Sequence, residues 1–274
     1  MVRLVCADMD GTFLASSGEP PADNVRALEL LAERGVEFVP ASGRPVTAVP
    51  RPAMESPATH YAITCNGARV CRLADGGAEV LRSSLMPAER VLALYERLRD
   101  REITFDVMLD GVAYAERFRY EHLERLIPDP VMCAGFRRMR TQVDVTVPEL
   151  LEGRDEVEKV TMFWRDPADR EAMVACAEAD PALSWASSSA RNVEVAAADA
   201  SKGAALSWLA AHLGIDVGET VAFGDNLNDV SMLEAAGRGV AMGNASAEAL
   251  AAADEVTASC DEAGVARWIE RALA

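Results

Sequence analysis

Short apolar runs that end abruptly in polar, glycine-containing turns recur along the chain. Apart from Glu37 and Thr64, the runs are continuous rather than alternating, a pattern typical of strands that are buried on both faces of a parallel sheet. Five such runs occupy residues 4–7, 36–41, 61–65, 221–223 and 239–242. We therefore predict a buried parallel sheet whose strands come from both ends of the chain.

Helical periodicity fills the segments between these runs. Residues 24–35 place Val25, Leu28 and Leu31 on one stripe, and residues 201–214 show a similar stripe after a capping serine. Both segments end in a glycine, the residue that most often terminates helices. Strands that alternate with amphipathic helices predict an α/β fold with a doubly wound, Rossmann-like parallel-sheet core.

The middle of the chain has a different periodicity. Residues 103–109 alternate between apolar and polar side chains and are followed by Asp110-Gly111, a strong hairpin signal. Further strands are predicted at 159–164 and 183–187, with a helix that begins near Pro167. Hairpins combined with helices indicate an α+β domain that is inserted into the α/β domain.

These patterns predict two domains. We expect a catalytic core at 1–82 and 190–274, and an inserted α+β cap at 83–189 that determines substrate specificity. Gly76, Gly77 and residues 197–200 lie near the two linkers and are candidate hinges.

Charge and cysteine content restrict the partners. The 274-residue chain has a net charge of -17, which argues against nucleic acid and against an anionic membrane surface. None of its six cysteines forms a C-x-x-C pair, as expected of buried thiols in a reducing compartment. No signal peptide or long apolar segment is evident, so we expect a cytoplasmic protein, monomeric or homodimeric.

Polar residues that follow the apolar runs form a candidate site. Ligands bind outside the carboxyl ends of the strands in open parallel sheets, and that edge would carry Asp8, Asp10, Ser42, Asn66 and Asp225. Two carboxylates about 4 Å apart repel by roughly 4 kcal/mol at an effective dielectric of about 20. A hard divalent cation such as Mg²⁺ removes this repulsion. The alternative is that the aspartates are only turn or cap residues.

Four motifs resemble those of a known family. "DMDGTFL", "ASGRP", "SKG" and "GDNLND" occur in this order and resemble the signature motifs of the haloacid dehalogenase-like phosphohydrolases. The size and position of the insert are similar to those of the Cof-type sugar-phosphatase branch, class IIB, whose members carry a large α/β cap. The resemblance implies a Mg²⁺-dependent phosphatase for a small phosphorylated metabolite, in particular a sugar phosphate.

The resemblance also implies roles for the acidic residues and the lysine. Asp8 would be the nucleophile that forms an aspartyl phosphate. Asp10 would act as general acid and then as general base, and its backbone carbonyl would bind the metal. Asp8 and Asp225 would be the anionic metal ligands, and Asp229 would hold metal-bound waters. Lys202 would neutralise the phosphoryl oxygens and Asp8.

The remaining candidates would bind the phosphoryl group. The Ser42 hydroxyl and the Gly43 amide would donate to its oxygens, and Asn228 would reach the phosphoryl group or Asp8. Arg44 could contact the substrate or only fix its loop through an ion pair. Asn66 could bind substrate or serve only as a turn residue with positive φ.

Two other functions remain open. A phosphomannomutase-like phosphotransferase would return the phosphoryl group to another hydroxyl. A non-hydrolytic, phosphate-responsive regulator would also use aspartate, Mg²⁺ and lysine at strand ends, although it needs no acid for a leaving group.

Overall fold

The computed structural model describes residues 1–74 and 77–273. The strands are β1 (Leu4–Ala7), β2 (Glu37–Pro40), β3 (Tyr61–Thr64), β4 (Arg69–Ala74), β5 (Gly77–Ser83), β6 (Met86–Pro87), β7 (Asp106–Leu109), β8 (Val112–Glu116), β9 (Thr141–Val143), β10 (Glu156–Val157), β11 (Lys159–Phe163), β12 (Leu183–Ala186), β13 (Asn192–Ala197), β14 (Thr220–Gly224), β15 (Arg238–Ala241) and β16 (Glu255–Val256).

Helices connect most of these strands. They are α1 (Ala22–Glu33), α2 (Arg51–Met54), α3 (Ala88–Leu98), α4 (Arg117–Tyr120), α5 (Leu123–Leu126), α6 (Pro130–Met139), α7 (Val147–Leu150), α8 (Pro167–Glu178), α9 (Lys202–His212), α10 (Val230–Ala235), α11 (Ala247–Ala252) and α12 (Gly264–Leu273). The predicted helices at 24–35 and 201–214 correspond to α1 and α9.

A five-stranded sheet in the order β16-β15-β14-β1-β2 forms the centre of the first compact unit. Its neighbouring strands are all parallel. Alternate residues of β1 enter opposite cores: Val5 packs with the cluster that contains Trp268, and Leu4 packs with the cluster that contains Leu206. Apolar clusters therefore cover both faces of the sheet, which confirms the predicted doubly wound α/β core.

The third apolar run departs from the prediction of a parallel strand. β3 pairs antiparallel with β4, and β4 pairs antiparallel with β5, in a separate three-stranded sheet. An isolated parallel bridge between Ala41 and Ile63 lies beside the end of β2. A turn with positive φ angles at residues 65–67 reverses the chain after β3, and an apolar run alone does not reveal such a reversal.

The second compact unit contains a six-stranded sheet in the order β12-β13-β11-β7-β8-β9. β7 and β8 form the predicted hairpin, and its two turn residues, Asp110 and Gly111, have φ values of 50° and 74°. Such angles are typical of the tight turns that match the twist of a hairpin. A two-stranded ladder joins β6 and β10.

The units comprise residues 1–83 with 201–274, and residues 84–200. The expected end of the insert, at residue 189, lies before β13, which pairs with β11 and β12 of the second unit. The boundary between the units therefore falls later in the chain than the sequence indicated. Of the candidate hinges, Gly76 lies outside the described residues and Gly77 begins β5.

Among the described residues, no helix is both long enough and apolar enough to cross a bilayer. All six cysteines are free, and only Cys176 is not fully buried. The cytoplasmic location stays a prediction.

Asn24 ties the chain after β1 to the last helix. Its side chain is buried, donates to the Phe13 carbonyl oxygen at 2.8 Å, and accepts from the Ala266 amide at 3.0 Å. We expect Asn24→Ala to lower the free energy of unfolding by about 2–4 kcal/mol, because two buried backbone groups lose their partner. Arg26→Ala, on the exposed face of the same helix, is the control for chemical denaturation. Equal stability of the two variants would contradict this role.

Candidate active site

Two aspartates project from the same edge of the parallel sheet. Asp8 directly follows β1, and Asp225 directly follows β14. The parallel register aligns Ala7 with Phe223, and the Asp8 amide donates to the Phe223 carbonyl oxygen at 3.0 Å. The sheet thus brings together two residues that are far apart in the sequence, at the edge where the sequence predicted a site.

The side chains of Asp8, Asp225 and Asp229 form a carboxylate cluster. One oxygen atom from each lies within 4.8 Å of the others, and all three residues are buried. The ammonium of Lys202 is completely buried and lies 2.5 Å from Asp8 Oδ1 and 2.5 Å from Asp229 Oδ1. Two of the three carboxylates therefore share a single buried ammonium.

Local backbone structure fixes the partners of this cluster. Ser201 caps α9, since its hydroxyl accepts from the Ala204 amide, and Lys202 is the first residue of that helix. Asp229 Oδ2 accepts hydrogen bonds from the amides of Asp225 and Asn226, both at 3.0 Å. Asp229 consequently holds the loop that carries Asp225 as well as the lysine.

Burial dominates the electrostatics of the cluster. Loss of water raises the pKa of Asp8 well above its ordinary value; Lys202 opposes the rise, while Asp229 and Asp225 add to it. Burial, followed by repulsion from Asp229, raises the pKa of Asp225 to about 7. Burial alone would lower the pKa of Lys202, but attraction to Asp229 and Asp8 outweighs it and raises that pKa.

The donor set suits a divalent cation. Carboxylate oxygens are the ligands that Mg²⁺ prefers, and the surplus of buried negative charge would be neutralised by such an ion. Asp225 Oδ1 accepts from the Thr12 hydroxyl at 2.7 Å. A Cβ atom at Gly11 would lie 2.5 Å from Asp225 Oδ2, and Gly11 has a φ of 83°. Only glycine therefore leaves this part of the cluster open.

Asp10 lies apart from the buried cluster, with more than half of its side-chain surface exposed. The guanidinium of Arg44 holds it through two contacts, Nε to Oδ2 at 2.8 Å and Nη2 to Oδ1 at 2.5 Å. Arg44 Nη1 also donates to the Ala48 carbonyl oxygen at 3.1 Å. Of the two roles considered for Arg44, the structure contains the ion pair.

The predicted phosphate-binding residues form a neighbouring group. Ser42 is buried, and its hydroxyl accepts from the Arg44 amide at 3.1 Å. Gly43 lies between these two residues in the same loop. Asn228 donates from Nδ2 to Asn66 Oδ1 at 3.3 Å, so these two residues also lie together. The phosphate contacts of this group stay predictions.

Two polar residues near the cluster were not among the predicted site residues. Thr12 belongs to the quoted "DMDGTFL" motif, so its position beside the aspartates was visible in the sequence. Asn244 donates to the Gly11 carbonyl oxygen at 2.9 Å and accepts from the Cys260 amide at 2.8 Å. No local signal links Asn244 to Gly11, because 233 positions separate them.

The doubly wound sheet, with a lysine-bridged carboxylate cluster at its carboxyl edge, is the arrangement expected of an enzyme that uses acidic side chains at the strand ends. The chain belongs to the haloacid dehalogenase-like hydrolase family, whose model matches residues 5–269. This membership confirms the resemblance stated from the four motifs.

Curated relatives match nearly the whole chain. Phosphatase YwpJ of Bacillus subtilis is 29% identical over 99% of this chain and 100% of its own length. A putative phosphatase of Haemophilus influenzae is 30% identical over 98% of both chains. An HMP-PP phosphatase of Klebsiella pneumoniae is 30% identical over 89% of this chain and 85% of its own length. These relatives confirm the predicted enzyme class, a phosphoric monoester hydrolase.

Solved structures share the fold. A haloacid dehalogenase-like hydrolase from Bacillus subtilis superposes with a TM-score of 0.85 at 29% identity, over 98% of this chain and 99% of its own. A sugar phosphatase of subclass IIB has a TM-score of 0.83 at 23% identity and covers both chains completely. The latter similarity shows the fold alone.

The raised pKa of Asp225 predicts a pH-dependent effect of Mg²⁺ on stability. A carboxyl whose pKa is raised on folding contributes to the stability of the metal-free protein when the pH is below the pKa of the unfolded chain, which is about 4. This contribution is lost as the pH rises through the pKa of the folded protein, which is about 7. We therefore expect Mg²⁺ to raise the melting temperature only slightly at about pH 5 and clearly at about pH 8, where no proton competes with the metal for the Asp225 carboxylate. Thermal melts with EDTA or MgCl₂ measure this difference.

The matched control for these melts is Asp225→Asn. This variant should be more stable than the wild type without metal near about pH 8, since it carries no buried charge there, and should respond weakly to Mg²⁺. An equal effect of Mg²⁺ at both pH values, or a full effect in the variant, would contradict the assignment.

Proposed function

We propose that the protein is a Mg²⁺-dependent phosphatase that hydrolyses a small phosphorylated metabolite, in particular a sugar phosphate, through an aspartyl phosphate on Asp8. The observation that carries this proposal is the buried cluster of Asp8, Asp225 and Asp229 around the ammonium of Lys202. The cluster combines a nucleophile, a cation site and a fixed positive charge at one point.

The arrangement of Asp8 supports its role as nucleophile. Its Oδ1 accepts from Lys202, while Oδ2 accepts no hydrogen bond from the described residues. In the proposed first step an oxygen of Asp8 forms a bond to phosphorus, and the bond from phosphorus to the ester oxygen breaks. Lys202 stabilises the negative charge that this step concentrates.

Asp10 would transfer the protons in both steps. It would protonate the departing ester oxygen, and then remove a proton from the water that cleaves the aspartyl phosphate. Inorganic phosphate and free Asp8 are the products of that second step. Exposure of the Asp10 side chain supports this role, because the hydrolytic water must reach this carboxyl in the second step.

Asp8 and Asp225 would hold the metal, with Asp229 beside them and the Asp10 carbonyl as a further ligand. Bound Mg²⁺ would supply positive charge that offsets the repulsion between the carboxylates and an anionic phosphate. Ser42 and Gly43, in the loop that follows β2, would orient the phosphoryl oxygens.

The names of the relatives support small phosphorylated substrates. They include an HMP-PP phosphatase, a pyridoxal phosphate phosphatase and a 5-amino-6-(5-phospho-D-ribitylamino)uracil phosphatase. A screen of phosphorylated sugars, nucleotides and vitamins, with free phosphate as the readout, tests the proposal of a sugar phosphate. Isomerised sugar phosphate without phosphate release would instead indicate a phosphotransferase.

Asp8→Asn tests the nucleophile. We expect hydrolysis of p-nitrophenyl phosphate with Mg²⁺ to fall to background in this variant, because the amide cannot accept the phosphoryl group. Asp23→Asn, an exposed aspartate in α1, is the control and should retain full activity. Normal turnover by Asp8→Asn would exclude the aspartyl-phosphate route. In the wild-type protein, stable phosphorylation of Asp8 without turnover would indicate a regulator.

Arg44→Ala tests whether the ion pair positions the general acid. We expect kcat/KM for an alkyl phosphate to fall roughly 10- to 100-fold, because the poor leaving group needs the proton from Asp10. The loss for p-nitrophenyl phosphate should be smaller, since nitrophenolate leaves without a proton. Arg51→Ala, at a highly exposed arginine in the same unit, is the control. Equal losses for both substrates would instead indicate that Arg44 contacts the phosphoryl group.

A further inference from the structure

The turn at residues 65–67, which we call the left-handed turn, has an unusual backbone. Cys65, Asn66 and Gly67 have φ values of 54°, 58° and 93°. Glycine adopts this region freely and asparagine adopts it readily, but a buried cysteine rarely does. Backbone strain of this kind persists where the surrounding structure requires it, and it is concentrated at functional sites.

The backbone of the left-handed turn supports the predicted phosphate loop. The Cys65 amide donates to the Arg44 carbonyl oxygen at 3.0 Å, and the Asn66 amide donates to the Ser42 carbonyl oxygen at 3.1 Å. Both donors, from residues in the left-handed conformation, bind carbonyl oxygens of the same loop. The turn therefore sets the position of residues 42–44.

Gly67 brings the turn against the start of α9. A Cβ atom at Gly67 would lie 2.2 Å from the Ser201 carbonyl oxygen and 3.0 Å from the Lys202 amide nitrogen. No side chain fits there, so the turn is in direct contact with the backbone that carries the buried lysine. The "SKG" motif therefore packs against the same turn that binds the "ASGRP" motif.

The Asn66 side chain reaches the fourth motif. Its Oδ1 accepts from Asn228 Nδ2 at 3.3 Å, and both residues are buried. Asn228 Oδ1 is also buried and has no hydrogen-bond partner among the described residues. With its nitrogen engaged by Asn66, the Asn228 amide presents this oxygen as its unused polar atom.

We propose that Asn66 is a positioning residue: through its side chain it orients the Asn228 amide, and through its strained turn it aligns residues 42–44 with Lys202. Asn66 then acts through other residues and needs no contact with the phosphoryl group. This inference rests on the proposed phosphatase function. The competing interpretation is that Asn66 only satisfies the turn geometry.

Asn66→Gly separates these interpretations, because glycine keeps the left-handed backbone and its N–H group but removes the side-chain amide. We expect the melting temperature to stay close to that of the wild type, while kcat/KM for p-nitrophenyl phosphate falls roughly tenfold. Inhibition by orthovanadate, an analogue of the phosphoryl group in transfer, should weaken in parallel. Unchanged kinetics and unchanged vanadate inhibition would overturn the proposal.

A double-mutant cycle tests whether Asn66 acts through Asn228. If it does, Asn66→Gly should have little further effect on kcat/KM once Asn228→Ala is present, because the oriented amide is already absent. Additive losses in the double variant would contradict this coupling. Binding of orthovanadate to the same four proteins, measured by calorimetry, provides a readout that does not depend on turnover.

Asp110→Gly is the matched control. Asp110 also has a positive φ, of 50°, but its side chain is largely exposed and lies in the β7–β8 turn of the other unit. Full activity is expected, and a loss equal to that of Asn66→Gly would attribute the effect to backbone loosening and overturn the proposal. A wild-type protein without phosphatase activity would sink the proposed function instead, so the two failures remain distinguishable.

Discussion

The active edge depends on one buried ammonium that two carboxylates share. Lys202 begins α9, Asp8 directly follows β1, and Asp229 lies beyond β14, so the two ion pairs of one lysine join three distant segments. Removal of one partner would leave an uncompensated buried charge, which is far more costly than loss of an exposed pair. Because Asp229 also accepts two amides of the Asp225 loop, the same interaction sets the spacing of the carboxylates.

The proposed chemistry uses one buried carboxylate and one solvent-exposed carboxylate. Asp8 is buried, where charge interactions are strong and a fixed lysine acts with full effect. Asp10 stands only two residues later, yet it is exposed and held by Arg44. One short loop thus holds the proposed nucleophile and the proposed proton carrier in opposite environments, as their different tasks would require.

Local patterns predicted most of the fold, and long-range contacts account for most of what they missed. The β7–β8 hairpin and the cap of α9 follow from turn residues and periodicity within a few positions. β3 was assigned to the parallel sheet because a continuous apolar run does not encode strand direction. The apolar pattern of β13 does not indicate which of the two units the strand joins, so the end of the insert was placed before this strand. The motifs identified the acidic cluster, but the partner of Arg44 depends on the reach of a long side chain.

β1 occupies the middle of its sheet, between β14 and β2, although it precedes the other four strands of that sheet in the chain. Its register with β14 pairs Leu4 with Thr220, across almost the whole chain. During synthesis this strand therefore keeps one edge unpaired until over two hundred further residues have followed. High contact order of this kind slows folding and prolongs the exposure of an aggregation-prone edge. The insertion that separates the halves of the core thus lengthens the period in which a nascent chain needs protection.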